Sequence, residues 1–170
     1  KSFPSHFNYK ILNINNPIKL PFQNIDKAKF YNLFHLDKNK ITITFISNFK
    51  MTKRPLMFVD IAGILAENKE NLQFVMYGNY TKKFESILIK KIYKTKLQNK
   101  LFYFGFQEDI DLILSNSDIV VLPGINEGLG RVALESFINK ALVVASNSGG
   151  YKEIIKNNKT GLLAKVDDSE

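Results

Sequence analysis

Residues 119–135 read Ile119-Val-Val-Leu-Pro-Gly-Ile-Asn-Glu-Gly-Leu-Gly-Arg-Val-Ala-Leu-Glu135. This stretch indicates the fold class of the 170-residue chain. Its first four residues are apolar and mostly β-branched, which predicts a buried strand, and Pro123 with Gly124 ends that strand. Beyond a glycine-rich turn, residues 131–139 are predicted to form a helix. A strand that passes through such a turn into a helix is typical of an α/β sheet.

Strands and helices alternate on both sides of this unit. The other predicted strands are apolar runs at Ile41–Ile46, Leu72–Tyr77, Leu101–Phe104 and residues 142–145. Four further helices are predicted. One begins at Pro55, one lies within the lysine-rich residues 81–100, one begins near Ile110, and the last ends near Lys156. Strands that are apolar along their whole length favour a parallel sheet covered on both faces. We therefore predict an α/β fold, a Rossmann-like doubly wound parallel sheet with right-handed crossovers.

The domain organisation follows from where this alternation begins. Residues 26–170 are predicted to form the Rossmann-like domain, close to the roughly 150 residues of one domain. Residues 1–25 are rich in proline and loops, with one strand candidate at residues 10–14, and form a lead-in segment. The chain begins at Lys1 without a methionine and stops in a polar stretch, so we expect a piece of a longer protein.

The composition excludes several classes of protein. Apolar residues make up 45% and charged residues 24%, as in ordinary globular proteins. Because there is no cysteine, disulfide scaffolds, cysteine-ligated zinc, iron–sulfur clusters and thiol nucleophiles are excluded. The two histidines, His6 and His35, are far apart, so no metal site and no cofactor are predicted. No apolar run approaches the ~18 residues of a membrane span.

The charge balance leaves the partner open. Lysine and arginine number 24 against 16 acidic residues, which gives a net charge of +8. Only Arg54 and Arg131 are arginines, and bidentate recognition of bases prefers arginine, so nucleic acid is not predicted as a partner. The scattered lysines favour a solvated surface. Peripheral contact with anionic lipid headgroups, particularly through the helix within residues 81–100, remains the alternative.

The candidate site is the turn at residues 123–130, because ligands of such sheets bind beyond the carboxyl ends of the strands. Glycines flank Leu129, and the following helix start offers free N–H groups, which suits a phosphate or diphosphate. Glu127 and Glu135 would repel a phosphate but can accept strong hydrogen bonds from vicinal hydroxyls. Together these features indicate a nucleotide sugar. From the residues alone, a solvated Glu127 and a Glu135 that salt-bridges or caps a neighbouring loop are equally favoured.

The segment from Glu127 to Glu135 resembles the E-x7-E element of GT-B fold retaining glycosyltransferases, in particular family 4, or glycosyltransferase group 1. Pro123-Gly-Ile-Asn-Glu-Gly-Leu-Gly-Arg-Val-Ala-Leu-Glu-Ser136 is similar to the family's P-S-x-x-E-G-F/L-G-x-x-x-L-E-A. The segment Ala141-Leu-Val-Val-Ala-Ser146, with Gly149-Gly150 and Glu153 after it, is similar to G-x-P-V-V-A-S…G-G-x-x-E. Residues 14–18, 43–54 and 157–163 resemble further family segments, so the resemblance extends along nearly the whole chain.

The resemblance implies a two-domain enzyme with its active site between two Rossmann-like domains. This chain matches the C-terminal, donor-binding half, and an acceptor-binding domain is expected before Lys1. The implied reaction transfers a sugar from a nucleotide-diphosphate sugar, with retention and without a metal, to a glycan or lipid-linked acceptor of the cell envelope. The nucleotide sugar is then a substrate, and a cytoplasmic location, peripheral at the inner face of the membrane, is implied. The fragment alone is expected to be inactive.

The resemblance also assigns roles to individual residues. Glu127 would hold hydroxyls of the transferred sugar, Lys53 would neutralise the leaving diphosphate, and Glu135 would bind the ribose hydroxyls. The Gly128, Leu129 and Gly130 N–H groups would bind the distal phosphate. The remaining donor-binding positions are Arg54, Gly105 and Phe106, of which the last two would pack against the base.

Two departures from the family pattern affect the phosphate site. Asn48 occupies the position where the family usually has a diphosphate-binding arginine, so the positive charge must come from Lys53 with Arg54 or Arg131. Gly124 replaces a common serine.

Other candidates favour structural interpretations. Asp109-Ile-Asp111 has the Asp-x-Asp pattern of metal-dependent glycosyltransferases, but it begins a helix, where the dipole favours acidic residues. His35 is expected to be exposed at the end of a helix.

Two rival functions remain open. The first is a nucleotide-sugar binding module without transfer activity. The second is a non-sugar nucleotide domain of flavodoxin-like or regulator type.

Overall fold

The computed structural model describes residues 27–166. The strands are β1 (Ile41–Ile46), β2 (Leu72–Tyr77), β3 (Leu101–Phe104), β4 (Ile119–Leu122), β5 (Leu142–Ser146) and β6 (Leu162–Ala164). The helices are α1 (Lys27–Phe34), α2 (Pro55–Asn68), α3 (Lys82–Lys94), α4 (Ile110–Leu114), α5 (Arg131–Ile138) and α6 (Tyr151–Ile154). A single 3₁₀ turn at Met51–Lys53 precedes α2.

The strands form one sheet in the order β3-β2-β1-β4-β5-β6, and every neighbouring pair is parallel. In register, Ile43 lies beside Phe74 of β2 and beside Ile119 of β4. The order reverses between β1 and β4, which makes their carboxyl ends the topological switch point of the sheet. The predicted Rossmann-like, doubly wound fold is confirmed.

Helices cover both faces of the sheet. On one face, α1, α4, α5 and α6 pack onto alternate strand residues around Phe30, Leu114 and Val143. On the other, α2 and α3 pack around Phe58 and Leu88. This two-sided burial explains why the strands are almost wholly apolar. The threonines in β1 are buried polar exceptions, and Thr44 Oγ1 is 2.6 Å from Ser117 Oγ.

The element predictions from sequence are correct in position and differ at the ends. All five predicted strands are present, and Pro55 occupies the first turn of α2. The lysine-rich helix is shorter than residues 81–100, because Thr81 caps its start and Lys96 turns into the left-handed region at φ 54°. The last helix ends at Ile154. His35 is exposed just after α1, as predicted.

Two elements were not predicted. The strand β6 has only three residues, of which two are exposed, so it lacks a sustained apolar run. The 3₁₀ turn before α2 has no distinctive pattern. The strand candidate at residues 10–14 and the boundary at residue 25 lie outside the described residues. Within residues 27–166, no helix is long and apolar enough to cross a membrane.

Candidate functional site

A small cavity lies at the carboxyl ends of β1 and β4, at the switch point of the sheet. Its lining residues are Phe45, Ile46, Ser47, Lys53, Leu122, Gly124, Glu127, Gly130, Arg131, Val132 and Tyr151. The apolar members come from the strand ends and the wall of α5. Of the charged members, Lys53 ends the 3₁₀ turn after β1, Glu127 lies in the loop after β4, and Arg131 is the first residue of α5. A cavity with apolar walls and a few converging polar groups is the usual form of a ligand site in such a fold.

Lys53 and Glu127 form an ion pair in this cavity, with Lys53 Nζ donating to Glu127 Oε2. Their side chains are 28% and 18% exposed, so the pair is partly shielded from water. Lys53 ends the 3₁₀ turn, and Arg54 after it adopts a left-handed conformation, φ 54°. The two predicted catalytic residues are therefore brought into direct contact across 74 positions of sequence.

The turn that carries Glu127 is fixed against the turn that carries Lys53. Ile125 N donates to Thr52 O at 2.8 Å. A Cβ added at Gly124 would lie 3.2 Å from Thr52 O and 3.3 Å from Lys53 Cα. Glycine is therefore suited to this close approach, and the departure from the family's serine has a local structural reason.

The glycine pair after β5 fixes the other side of the same turn. Gly150 N donates to Glu127 O at 2.7 Å. A Cβ at Gly150 would lie 1.9 Å from Gly128 O, and a Cβ at Gly149 would lie 2.3 Å from Glu127 O. Asn126 N also donates to Ser148 Oγ at 3.2 Å. The Glu127 backbone is thus held between two loops.

The turn at residues 128–130 leads into α5 with unpaired donors. Gly130 adopts φ 67° and ψ 40° and is the N-cap of α5 without a side-chain cap. The N–H groups of Gly128, Leu129 and Gly130 donate to no acceptor within residues 27–166. Unpaired N–H groups at the start of a helix form a binding site for an anion.

Glu135 lies on the second turn of α5, where its side chain is 15% exposed. Its Oε1 accepts a hydrogen bond from Arg131 Nη2 at 3.0 Å, an i,i+4 ion pair. Arg131 also lines the cavity and is 61% exposed at its side chain. Each of the two glutamates therefore has a cation as its partner.

Tyr151 is a cavity residue that sequence reasoning missed. It is 3% exposed, and burial, with a smaller contribution from the Glu127 charge, raises the pKa of its hydroxyl well above the ordinary tyrosine range. An aromatic residue just after a glycine pair reads as core in a single sequence. In the folded chain its ring packs against Gly130, and Tyr151 lines the same cavity as Glu127.

The family of this chain follows from comparison with known proteins. The family described as Glycosyl transferases group 1 matches residues 26–170. The chain belongs to this family. An Escherichia coli relative, UDP-Gal:alpha-D-GlcNAc-diphosphoundecaprenol alpha-1,3-galactosyltransferase, is 29% identical over 137 residues, covering 78% of this chain and 35% of its own length.

Two solved structures share the fold. Anabaena HepE in complex with UDP-glucose gives a TM-score of 0.75 at 21% identity, covering 85% of this chain and 40% of that one. The C-terminal domain of the group 1 family protein LpcC from Francisella tularensis gives 0.73 at 24% identity, covering 88% of this chain and 78% of that one. This chain spans about a third of the galactosyltransferase and two fifths of HepE. The predicted membership of glycosyltransferase group 1 is confirmed.

Other predicted donor-binding residues of this family member lie away from the cavity. Arg54 lines neighbouring cavities with Met57. Gly105 and Phe106 follow the edge strand β3, two strands away from β1, and Phe106 is 60% exposed. Asn48 is exposed after β1. The roles of Arg54, Gly105 and Phe106 in donor binding stay predictions.

Both aspartates of the Asp-x-Asp segment are used within the fold. Asp109 Oδ1 accepts a hydrogen bond from Leu112 N at 2.9 Å and caps α4. Asp111 Oδ1 accepts one from Asn139 Nδ2 at 2.9 Å. The interpretation of this segment as a helix start is therefore confirmed.

Proposed function

We propose that this chain is the donor-binding domain of a retaining glycosyltransferase and binds a nucleotide-diphosphate sugar at the switch-point cavity. The observation that carries the proposal is that Lys53, Glu127 and Gly130 line one cavity, where a turn with unpaired N–H groups leads into α5. Cations and N–H donors suit a diphosphate, and a carboxylate suits sugar hydroxyls. An anion site alone would give no reason for Glu127.

In this proposal, groups of the bound donor replace the ion-pair partners that Lys53, Glu127 and Glu135 have in the free protein. The distal phosphate binds the N–H groups at residues 128–130, and Lys53 moves from Glu127 to the diphosphate. Glu127 then accepts hydrogen bonds from the transferred sugar, and Glu135 from the ribose. The positive charge of Lys53 becomes more stabilising as the leaving diphosphate gains negative charge.

The proposed transfer needs no bound metal. Lys53 and Arg131 supply the positive charge at the cavity, and the Asp109 and Asp111 carboxylates already accept hydrogen bonds within the fold. Donor binding measured with and without EDTA tests this point, and equal affinity is expected.

The proposed acceptor is a glycan or a lipid-linked precursor of the cell envelope. The E. coli relative is named for an acceptor linked to undecaprenyl diphosphate, and HepE was crystallised with UDP-glucose. We propose that an N-terminal domain of the same protein binds this acceptor, at the cytoplasmic face of the membrane. The exposed lysines of α3 are the proposed peripheral contact with anionic lipid.

Calorimetric titration of this chain with UDP, GDP, ADP and their glucose conjugates tests the proposal. Saturable binding of one nucleoside diphosphate, lost in Glu135→Ala, is expected. A Glu67→Ala variant, at an exposed position of α2, serves as the control. Absence of binding by the wild-type chain at millimolar concentration would contradict the proposal.

The alternative of a binding module without transfer activity predicts the same titration. The full-length protein separates the two: an enzyme releases the nucleoside diphosphate in the presence of acceptor, and the product keeps the anomeric configuration of the donor. This chain alone is expected to bind donor and to transfer nothing.

A further inference from the structure

Packing accounts for an aromatic ring at position 151, but it does not account for the hydroxyl group of Tyr151. The residue begins α6 and is 3% exposed. A Cβ at Gly130 would lie 2.9 Å from the Tyr151 Cδ1 atom, so the ring supports the turn before α5. A phenylalanine would pack equally well in this role. The hydroxyl therefore needs a separate explanation.

The two deeply buried tyrosines differ in the surroundings of their hydroxyls. The Tyr77 hydroxyl is sealed from solvent and has no hydrogen-bond partner in the described chain. The Tyr151 hydroxyl also has no hydrogen-bond partner among residues 27–166, but, unlike the Tyr77 hydroxyl, it is not sealed from solvent. Because Tyr151 is almost wholly buried and lines the cavity of Lys53 and Glu127, the solvent that reaches its hydroxyl is that of the cavity.

We propose that Tyr151 is a further donor-binding residue, whose hydroxyl donates a hydrogen bond to an oxygen of the sugar diphosphate. This inference rests on the proposed function and adds a residue to the same site. Lys53 and Arg131 line the cavity with Tyr151, so a diphosphate drawn to these cations comes within reach of the hydroxyl.

The protonation state of the phenol suits this role. Burial, and to a smaller extent the nearby Glu127 charge, raises the pKa of Tyr151, so the hydroxyl keeps its proton throughout the neutral range. A neutral phenol donates a hydrogen bond to a phosphate oxygen without adding charge repulsion. Hydrogen bonds to a charged acceptor are the stronger kind.

Tyr151→Phe and Tyr77→Phe form a matched pair of variants. Each removes one oxygen from a buried tyrosine, but only Tyr151 lines the cavity. Titration with the nucleoside diphosphate that the wild type binds is expected to show about ten-fold weaker binding for Tyr151→Phe, the loss typical of one hydrogen bond to a charged group. Tyr77→Phe is expected to bind like the wild type, and both variants to unfold at nearly the wild-type temperature.

Equal binding by Tyr151→Phe and the wild type would overturn the inference and leave the proposed function standing. Absence of binding by the wild type would overturn both. Equal weakening by the two variants would indicate a general loss of packing and would also overturn the inference.

A measurement on the wild type avoids any dependence on how a variant folds. In protein labelled with ¹³Cζ-tyrosine, the Tyr151 signal is expected to shift when the nucleoside diphosphate is added, while the Tyr77 signal stays in place. A Tyr151 signal that does not move at saturation would contradict the inference.

Discussion

Glycines near the site differ in whether the surrounding backbone leaves room for a Cβ atom. At Gly150 a Cβ would overlap the backbone oxygen of Gly128, whereas a Cβ at Gly128 itself would meet nothing within 4 Å. The glycine pair that the family resemblance identifies only as a motif therefore has a physical purpose. It lets the loop after β5 lie directly against the backbone of Glu127.

Gly150→Ala is expected to lower the free energy of unfolding by about 1–3 kcal/mol, as overpacking typically does, because the Glu127 turn must move away. Gly128→Ala, in the same turn, is the control and should stay within about 0.5 kcal/mol of the wild type. Urea unfolding measures both. Equal stability of the two variants would show that the loops do not interlock as described.

The residues of the site were predictable to different degrees. Lys53 and Glu127 were predicted from family resemblance, but their contact depends on the unpredicted 3₁₀ turn and on the close approach of Gly124. Tyr151 was not predicted, because a buried aromatic side chain and a ligand-facing one have the same sequence signature.

The positions of the strands and helices could be predicted from apolar runs in the sequence, whereas their ends depend on single residues. Leu72–Tyr77 is buried throughout, and the apolar run that this burial requires made the strand predictable from the sequence. The strand β6 pairs with the edge of β5 through three residues and has too few apolar positions for such a signal. Thr81 and Asp109 set where α3 and α4 begin.

Asp109→Ala is expected to lower the free energy of unfolding by about 1 kcal/mol, since it removes the cap of α4. Asp109→Asn keeps an oxygen that can accept from Leu112 N and should retain most of the stability. Chemical unfolding in the presence of EDTA compares the two. Equal loss of stability in Asp109→Asn and Asp109→Ala would contradict the capping interpretation.

The exposed face of α3 combines charge with apolar side chains. Lys83, Lys90 and Lys94 are exposed and make no ion pair with residues 27–166, and Ile87 and Tyr93 on the same helix are 44% and 64% exposed. Lysines beside exposed apolar residues suit an anionic lipid surface.

Charge reversal at these three lysines tests the proposed membrane contact. Binding to vesicles of phosphatidylcholine with phosphatidylglycerol should weaken about ten-fold or more, because each lysine near the surface contributes about 1 kcal/mol. Reversal at Lys152, Lys156 and Lys159 changes the net charge equally and serves as the control in co-sedimentation. Equal weakening by both triple variants would indicate a net-charge effect and no specific face.

The buried tyrosines predict how the stability of the folded chain depends on pH. Burial raises the pKa of Tyr77 and of Tyr151 above the ordinary value of 10.0. The folded chain therefore keeps two protons that the unfolded chain releases. Their contribution is complete below pH 10 and is lost as the pH rises above it, by about 1.4 kcal/mol per pH unit for each tyrosine.

Urea unfolding between about pH 9 and 11 measures this loss. Tyr77→Phe should make the decline of stability with pH less steep than in the wild type. The same slope for Tyr77→Phe and the wild type would contradict the burial of the hydroxyl.

Calorimetry on the wild type and on Glu127→Gln, with the nucleoside diphosphate that binds and with its glucose conjugate, tests most directly how the donor is held. The wild type should bind the conjugate more tightly, because Glu127 accepts hydrogen bonds from the sugar. Glu127→Gln should lose that increment and bind the nucleoside diphosphate at least as tightly, since Lys53 loses its carboxylate partner. Equal loss of affinity for both ligands would contradict the assignment of Glu127 to the sugar and Lys53 to the diphosphate.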